Sequence, residues 1–295
     1  MHEPVLLKET IEGLALKAGD VLIDGTLGRA GHSVEAAKRV PGIFIIGIDR
    51  DEDALRGSEE RLGSIGASFR LFLGNFKDMG LFLEKAGKEA ADKILLDLGI
   101  SSPQLDSSKR GFTFRFDEPL LMTMEKELAE GAFSARDVVN GWAEEDIANV
   151  IYAYGEERYA RRIARAIVLA REAAPIETSM ALSEIVRSSV PAVYRRGKIH
   201  PATRTFQALR IAVNDELGSL RKGLEEGMRI LSPQGRMAVI SFHSLEDRIV
   251  KVAFKEWQKQ GLGSQSTKKP IEPTDEEKER NPRSRSSKLR VFIKN

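Results

Sequence analysis

The sequence predicts an α/β fold: a largely parallel sheet with helices on its faces, interrupted by an all-helical insertion. Three observations carry this. Short apolar runs alternate with helix-period segments from Val21 to Ile100; only helical patterns occur from about Lys109 to about Thr203; and a strand pattern returns at Arg236–Phe242. Strands alternating with helices are the mark of βαβ units.

In order along the chain, Val5, Leu6, Ile11, Leu14 and Ala15 have helical spacing, and Val21-Leu22-Ile23 then forms a strand ending in Asp24. Gly25, Gly28 and Gly31 punctuate a turn, Ser33–Arg39 reads as a helix, and Ile43–Ile48 is a second strand followed by Asp49 and Asp51. Glu52–Leu62 is helical in composition and Phe69–Leu73 alternates as a third strand, with Gly74-Asn75-Phe76 at its end. Met79–Ala86 is a helix, and Lys93–Ile100 is a fourth strand interrupted by Asp97. The helical block holds Ala135–Asn140, Glu144–Tyr154, Glu157–Arg171 and Met180–Ser188, bounded by Pro175 and Pro191. Arg158, Arg161, Arg162 and Arg165 give the third of these a basic face. Phe206–Leu231 is one long helix or two, Ser244–Gln258 another, Gly261–Asn281 loop or disorder, and Leu289–Ile293 one more strand. The expected domains are therefore residues 1–108, an inserted helical domain at 109–203, and 204–295 with a basic C-terminal tail.

With 295 residues, 31% charged and 41% apolar, the chain is an ordinary globular protein. It has no cysteine, which excludes disulfides, thiolate metal sites and cysteine nucleophiles and fits a reducing cytoplasm. No apolar run approaches the roughly 18 residues of a membrane helix, so no membrane partner is expected. Net charge is only +2, but Arg195–Arg210 and Arg283–Lys294 each carry five cations and no acid, a distribution suited to phosphates.

The stretch from Val21 to Asp51, strand, glycine loop, helix, strand and acid, has the logic of a nucleotide cradle. An acid at the end of the second strand can accept hydrogen bonds from both hydroxyls of a ribose, and Asp49 stands where it would. The glycines recur every three residues instead of as G-x-G-x-x-G, which favours S-adenosylmethionine over a dinucleotide; a plain βαβ unit whose glycines only make turns remains an alternative. Phe76 is placed to lie against an adenine or to pack into the core. Asp97, an acid inside an apolar strand, is expensive to bury without a partner.

The histidines, at 2, 32, 200 and 243, form no H-E-x-x-H pattern, so no metal is expected. Ser241-Phe242-His243-Ser244 lacks G-x-S-x-G, which argues against a serine hydrolase, and Ser244 with Asp247 resembles a helix start.

Several stretches are more specific than the glycine loop: DGTLGRAGHS from Asp24, LLDLGISSPQLD from Leu95, RGFTF from Arg110, YGEERYARRIARAI from Tyr154, HPATRTFQALRIAVNDEL from His200, VISFHSLEDRIVK from Val239 and NPRSRSSKLR from Asn281. Over nearly the full length the chain resembles the bacterial small-subunit ribosomal RNA cytosine-N4 methyltransferase family. The resemblance implies a Rossmann-like class I methyltransferase sheet with an inserted all-helical substrate-recognition domain. It implies S-adenosylmethionine as cofactor, methylation of the exocyclic amine of one cytidine, and small-subunit ribosomal RNA or the assembled small subunit as partner; a homodimer is compatible with it. Cofactor contacts would fall on Ala30, Gly31, His32, Asp49, Phe76, Asp97 and Gln104. Asp106 is the expected acceptor or general base for the amine, since methyl transfer needs an aligned nucleophile and an acceptor for its proton.

The chain also departs from the family. Ala30 stands where glycine is usual, a change of little effect if its φ is negative. Leu121, Thr123 and Glu125 replace Asp, Arg and Asp, which leaves a catalytically weak RNA-binding protein as the competing expectation and a nicotinamide dehydrogenase as a third.

Overall fold

The computed structural model describes residues 4–100, 105, 109–126 and 131–295. The chain forms two compact units, one from Met1–Gly99 with Leu217–Asn295 and one from Ile100–Glu216. These divisions lie outside the breaks at 108/109 and 203/204 that the sequence suggests. Ile100 and Leu105 pack against the core of the helical unit, and Phe206 and Leu209 belong to it, so both flanks go with the insertion.

The first unit opens with α1 (Leu7–Leu14), β1 (Val21–Asp24), α2 (Gly31–Arg39), β2 (Phe44–Asp49), α3 (Glu52–Ser64), β3 (Ser68–Leu73), a 3-10 turn (Phe76–Asp78), α4 (Met79–Lys85) and β4 (Ala91–Asp97). Local chemistry sets several of these boundaries. Asp51 caps α3 by accepting the Asp53 N–H at 3.1 Å, and Asn75 starts the 3-10 turn by accepting the Lys77 N–H at 3.1 Å.

The second unit consists of α5 (Ala135–Gly141), α6 (Glu144–Gly155), α7 (Ala160–Ala173), α8 (Ser179–Ser189), the short α9 (Ala192–Arg195) and α10 (Thr203–Asn214). Its core contains Val138, Ile147, Ile151, Ile163, Ile167, Leu182, Val186, Phe206 and Leu209. Ser134 and Asp137 form a capping box at the start of α5, and Thr178 caps α8. Asp215, with φ 46°, ends α10 and separates it from the next helix, so the apolar stretch after Phe206 forms two helices.

The chain then continues with α11 (Glu216–Ile230), β5 (Leu231–Ser241), α12 (Ser244–Lys259), β6 (Gly263–Gln265), α13 (Asp275–Arg280) and β7 (Lys288–Lys294). The seven strands form one sheet in the order β3-β2-β1-β4-β5-β7-β6, with β7 antiparallel to β5 and β6 and the other pairs parallel. Alternate residues of each inner strand enter opposite layers: Ile23, Ile94, Leu96 and Val239 one, Leu22, Leu95, Ala238 and Ile240 the other. The order reverses between β1 and β4, and such a switch point is where open α/β sheets bind ligands, at the carboxyl ends of the strands.

Two expectations are corrected here. Residues 261–281 are not simply loop: they hold β6 and α13, and the buried Glu277 of α13 accepts the Leu6 N–H at 2.7 Å. The basic segment at Arg283–Lys294 is not a free tail. Arg290 is buried and donates to Asp247 at 2.7 Å, Lys294 donates to the Met228 and Leu231 carbonyls, and β7 lies between β5 and β6. Pairing required these cations to be placed among acceptors, which a count of charges along the sequence cannot reveal.

Phe292 of β7 is fully buried against the rings of Phe254 and Trp257. Phe292→Ala should therefore destabilise the protein by about 3–5 kcal/mol, measured by denaturant unfolding. A change below about 1 kcal/mol would mean that β7 is not part of the folded sheet.

Candidate active site at the carboxyl ends of the strands

β1, β2 and β4 end in Asp24, Asp49 and Asp97, and β5 leads through Phe242 into α12. Asp24 is buried; Ser33 donates to its Oδ2 at 2.6 Å and the Thr26 N–H to its Oδ1 at 3.3 Å. Thr26 also ties the first loop to β4, because its Oγ1 accepts the Asp97 N–H at 2.6 Å. Asp49 accepts the Gly28 N–H at 2.8 Å on one oxygen and the Asp51 N–H at 2.9 Å on the other. Gly28 makes that turn at φ 51°, in the region glycine adopts most easily.

Asp97 is the least satisfied of the acids. Its side chain is 26% exposed, one oxygen lies 3.7 Å from His32 Nδ1, and the other, Oδ1, is buried with no hydrogen-bond partner. His32 is buried and its Nε2 donates to the Val5 carbonyl at 3.0 Å, so in the neutral ring Nδ1 carries no proton. A proton on either partner makes the Asp97–His32 contact attractive.

Burial pushes Asp24 up to about 6, with the Asp49 charge adding to the rise, and burial pushes Asp49 up to about 6 against the backbone N–H groups that lower it. Asp97 is raised well above the usual carboxylate range, first by burial and then by the charges of Asp24 and Glu246. Glu246 was not anticipated as part of this group. It stands in the first turn of α12, accepts the Phe242 and His243 N–H groups, and closes a capping box whose cap is His243 instead of the expected Ser244. The signal was present in the spacing of His243 and Glu246, three residues apart, but a histidine cap is not what a capping-box pattern looks for.

Of the other expected residues, Phe76 is half-buried and packs against the core layer; a Cβ at Gly223 of α11 would fall 2.5 Å from its ring. Its core role is thus visible. Gly31 opens α2 packed against Pro4, where a Cβ would come within 2.4 Å of the proline Cγ. Ala30 takes φ 54°, so the condition under which its replacement of glycine would be harmless is not met. Gln104 and Asp106 lie outside the described residues, as do Ser101–Pro103. Thr123 is buried and its hydroxyl donates to the Glu125 carbonyl, while Asn214 holds the Met122 carbonyl and the Met124 N–H.

What the carboxyl ends of these strands offer a ligand is a group of buried acids with one acceptor left open. A cation suits it, and a pyrophosphate would meet four carboxylates. Among the described residues no helix is long and apolar enough to cross a membrane.

Residues 1–295 match the MraW methylase family. The chain is 46% identical over 309 residues to the ribosomal RNA small subunit methyltransferase H of Symbiobacterium thermophilum, covering 99% of this chain and 96% of that protein. It is 50% identical over 299 residues to the enzyme of the same description from Deinococcus deserti, with 99% and 92% covered. For Geobacter sulfurreducens the figures are 47% over 312 residues, with 99% and 98% covered.

The state of Asp24 makes stability depend on pH. Its carboxyl titrates near 3.8 when unfolded and about 6 when folded, so it favours the folded state below pH 3.8 and that contribution is lost as pH rises to about 6. Asp24→Asn should raise stability at pH 8 by up to about 3 kcal/mol and have little effect at pH 4. Melts showing the same change at both pH values would mean that charge burial is not the cause.

Proposed function

Since the chain belongs to the MraW methylase family, with curated relatives that are small-subunit ribosomal RNA methyltransferases, we propose that it methylates the exocyclic N4 amine of a specific cytidine in that RNA from S-adenosylmethionine. The observation that carries the choice of cofactor is the open Oδ1 of Asp97 within a group of raised carboxylates. A ligand bearing a sulfonium and an ammonium stabilises buried negative charge, whereas a dinucleotide brings more of it.

When bound, adenosylmethionine supplies an electrophilic methyl group on a sulfonium. Asp97 would offer its unpaired oxygen to the cationic end of that ligand, with His32 Nδ1 3.7 Å from its other oxygen. Asp49 would take a ribose hydroxyl with the acceptor capacity that the Gly28 and Asp51 N–H groups leave free. Phe76 would lie against the adenine, Ala30, Gly31 and His32 would bound the ligand at the start of α2, and Gln104 would add a polar contact. Asp106 accepts the proton that the cytosine nitrogen loses as the N–C bond forms. The cytidine must be single-stranded or flipped from its stack for the amine to reach the methyl group. The protein acts in the cytoplasm, where its RNA substrate is.

Labelled methyl transfer to small subunits and to protein-free small-subunit RNA, both lacking the modification, should yield N4-methylcytidine at one position, identified by mass spectrometry. Asp106→Ala should abolish transfer and largely spare cofactor affinity, while Asp49→Ala should weaken cofactor binding first. Equal loss of cofactor binding in both would overturn the division of roles.

Adenosylmethionine affinity should rise with pH, because the cation binds the ionised form of Asp97, whose carboxyl burial raises well above the usual range in the free protein. Calorimetry in buffers of different ionisation enthalpy should register proton release on binding. A dissociation constant unchanged between pH 5 and 8 would remove the carboxylates from the binding site.

A further inference from the structure

The basic face at the start of α7 has no part in the site above. Arg158, Arg161, Arg162 and Arg165 are all exposed, and the last three make no ion pair among the described residues. Several exposed arginines elsewhere do, Arg39 with Glu35, Arg56 with Glu52 and Asp53, Arg136 with Glu177, Arg187 with Glu184 and Arg229 with Glu226, whereas the other exposed arginines without an ion pair among the described residues, such as Arg29, Arg115 and Arg285, do not share a helix face with others. No acid occupies the first turn of α7, so these cations are not compensated within their own helix either.

The face extends beyond one helix. The Arg158 guanidinium lies over two rings, 4.8 Å from the centre of Tyr159 and 5.1 Å from that of Tyr194. Those rings meet edge to face at 4.9 Å, which joins the start of α7 to α9. The Tyr194 hydroxyl donates to Glu157, whose side chain is fully buried, and Arg204 of α10 donates to the Glu156 carbonyl at 3.1 Å. Beyond Tyr194, Arg196 and Lys198 are exposed and make no ion pair among the described residues, and Arg195 stands near Glu184, itself bound to Arg187. Exposed positive charge therefore outnumbers exposed negative charge across three elements. An arginine stacked on tyrosine keeps the N–H edge of its plane free for an anion, at low conformational cost.

We propose that this surface of the helical unit binds consecutive backbone phosphates of the substrate RNA, with Arg158 held in place by Tyr159 and Tyr194. The inference rests on the ribosomal RNA reading above and deepens it. Charge complementarity favours RNA as the occupant; the exposed Val193 and Ile199 make a ribosomal protein the competing one.

The test compares the triple variant Arg161→Gln, Arg162→Gln, Arg165→Gln with a control of equal charge change, Lys251→Gln, Lys255→Gln, Lys259→Gln on α12. Equilibrium binding to protein-free small-subunit RNA and to small subunits is measured across a salt series, after melts confirm that both variants fold. For the arginine variant the slope of log affinity against log salt should become shallower by about 2–3 on both substrates, with adenosylmethionine affinity unchanged. The control should keep the parent's slope. An unchanged slope, an equal effect in the control, or a loss confined to intact subunits, which would indicate a protein contact, each overturns the proposal. Failure of the parent to transfer methyl to either RNA would instead overturn the methyltransferase reading, because the salt slope does not depend on turnover.

Discussion

Negative charge buried at one edge of the sheet is the constraint around which the first unit is arranged. The charge of Asp49 raises Asp24, those of Asp24 and Glu246 raise Asp97, and taking such groups out of water is unfavourable by several kcal/mol each unless they are hydrogen-bonded or neutralised. Ser33, Thr26 and the backbone N–H groups of Gly28 and Asp51 are spent on that requirement, and the Glu246 carboxylate is held by the first turn of α12. The two apolar layers behind the strand ends exclude water and so increase the penalty. The position of the loop after β1, the start of α2 and the start of α12 all follow from where acceptors must be met.

β1, β2 and β4 were legible in the sequence because each is largely buried and reads as an apolar run ending in an acid, while β3, at the sheet's edge, was legible through its alternation. Asp49 and Asp97 could be singled out for the same reason: a charge at the end of, or within, an apolar strand stands out from its neighbours. What could not be read were interactions between residues far apart in the chain. Glu277 holding the Leu6 N–H joins positions 271 apart, and Arg290 with Asp247 joins positions 43 apart. Such pairings made the segment after Gly261 look irregular and β7 look like a charged tail. Glu246 escaped notice because its cap is a histidine.

Ala30 shows how opposing small effects decide a substitution. A left-handed conformation is unfavourable for a residue with a Cβ by about 1–2 kcal/mol. Against this, the methyl group is fully buried beside Val5, Leu27 and Val34, which contributes about 0.8 kcal/mol, and alanine restricts the unfolded chain more than glycine, by about 0.4–1 kcal/mol. The terms nearly cancel. Alanine can therefore stand at the entrance to α2 although the backbone there has the geometry that glycine prefers.

The placement of β7 has a consequence for the order in which a nascent chain can complete itself. β6 pairs with β7 and not with β5, so neither neighbour can close its hydrogen bonds until β7, which follows every other strand in the chain, has been synthesised. The helical unit, continuous from Ile100 to Glu216, faces no such delay, since its core draws only on residues already made. During translation the sheet therefore passes through a stage in which the edge of β5 is still free although the helical unit is already complete. It is at that stage that the chain is most open to pairing with the wrong strand.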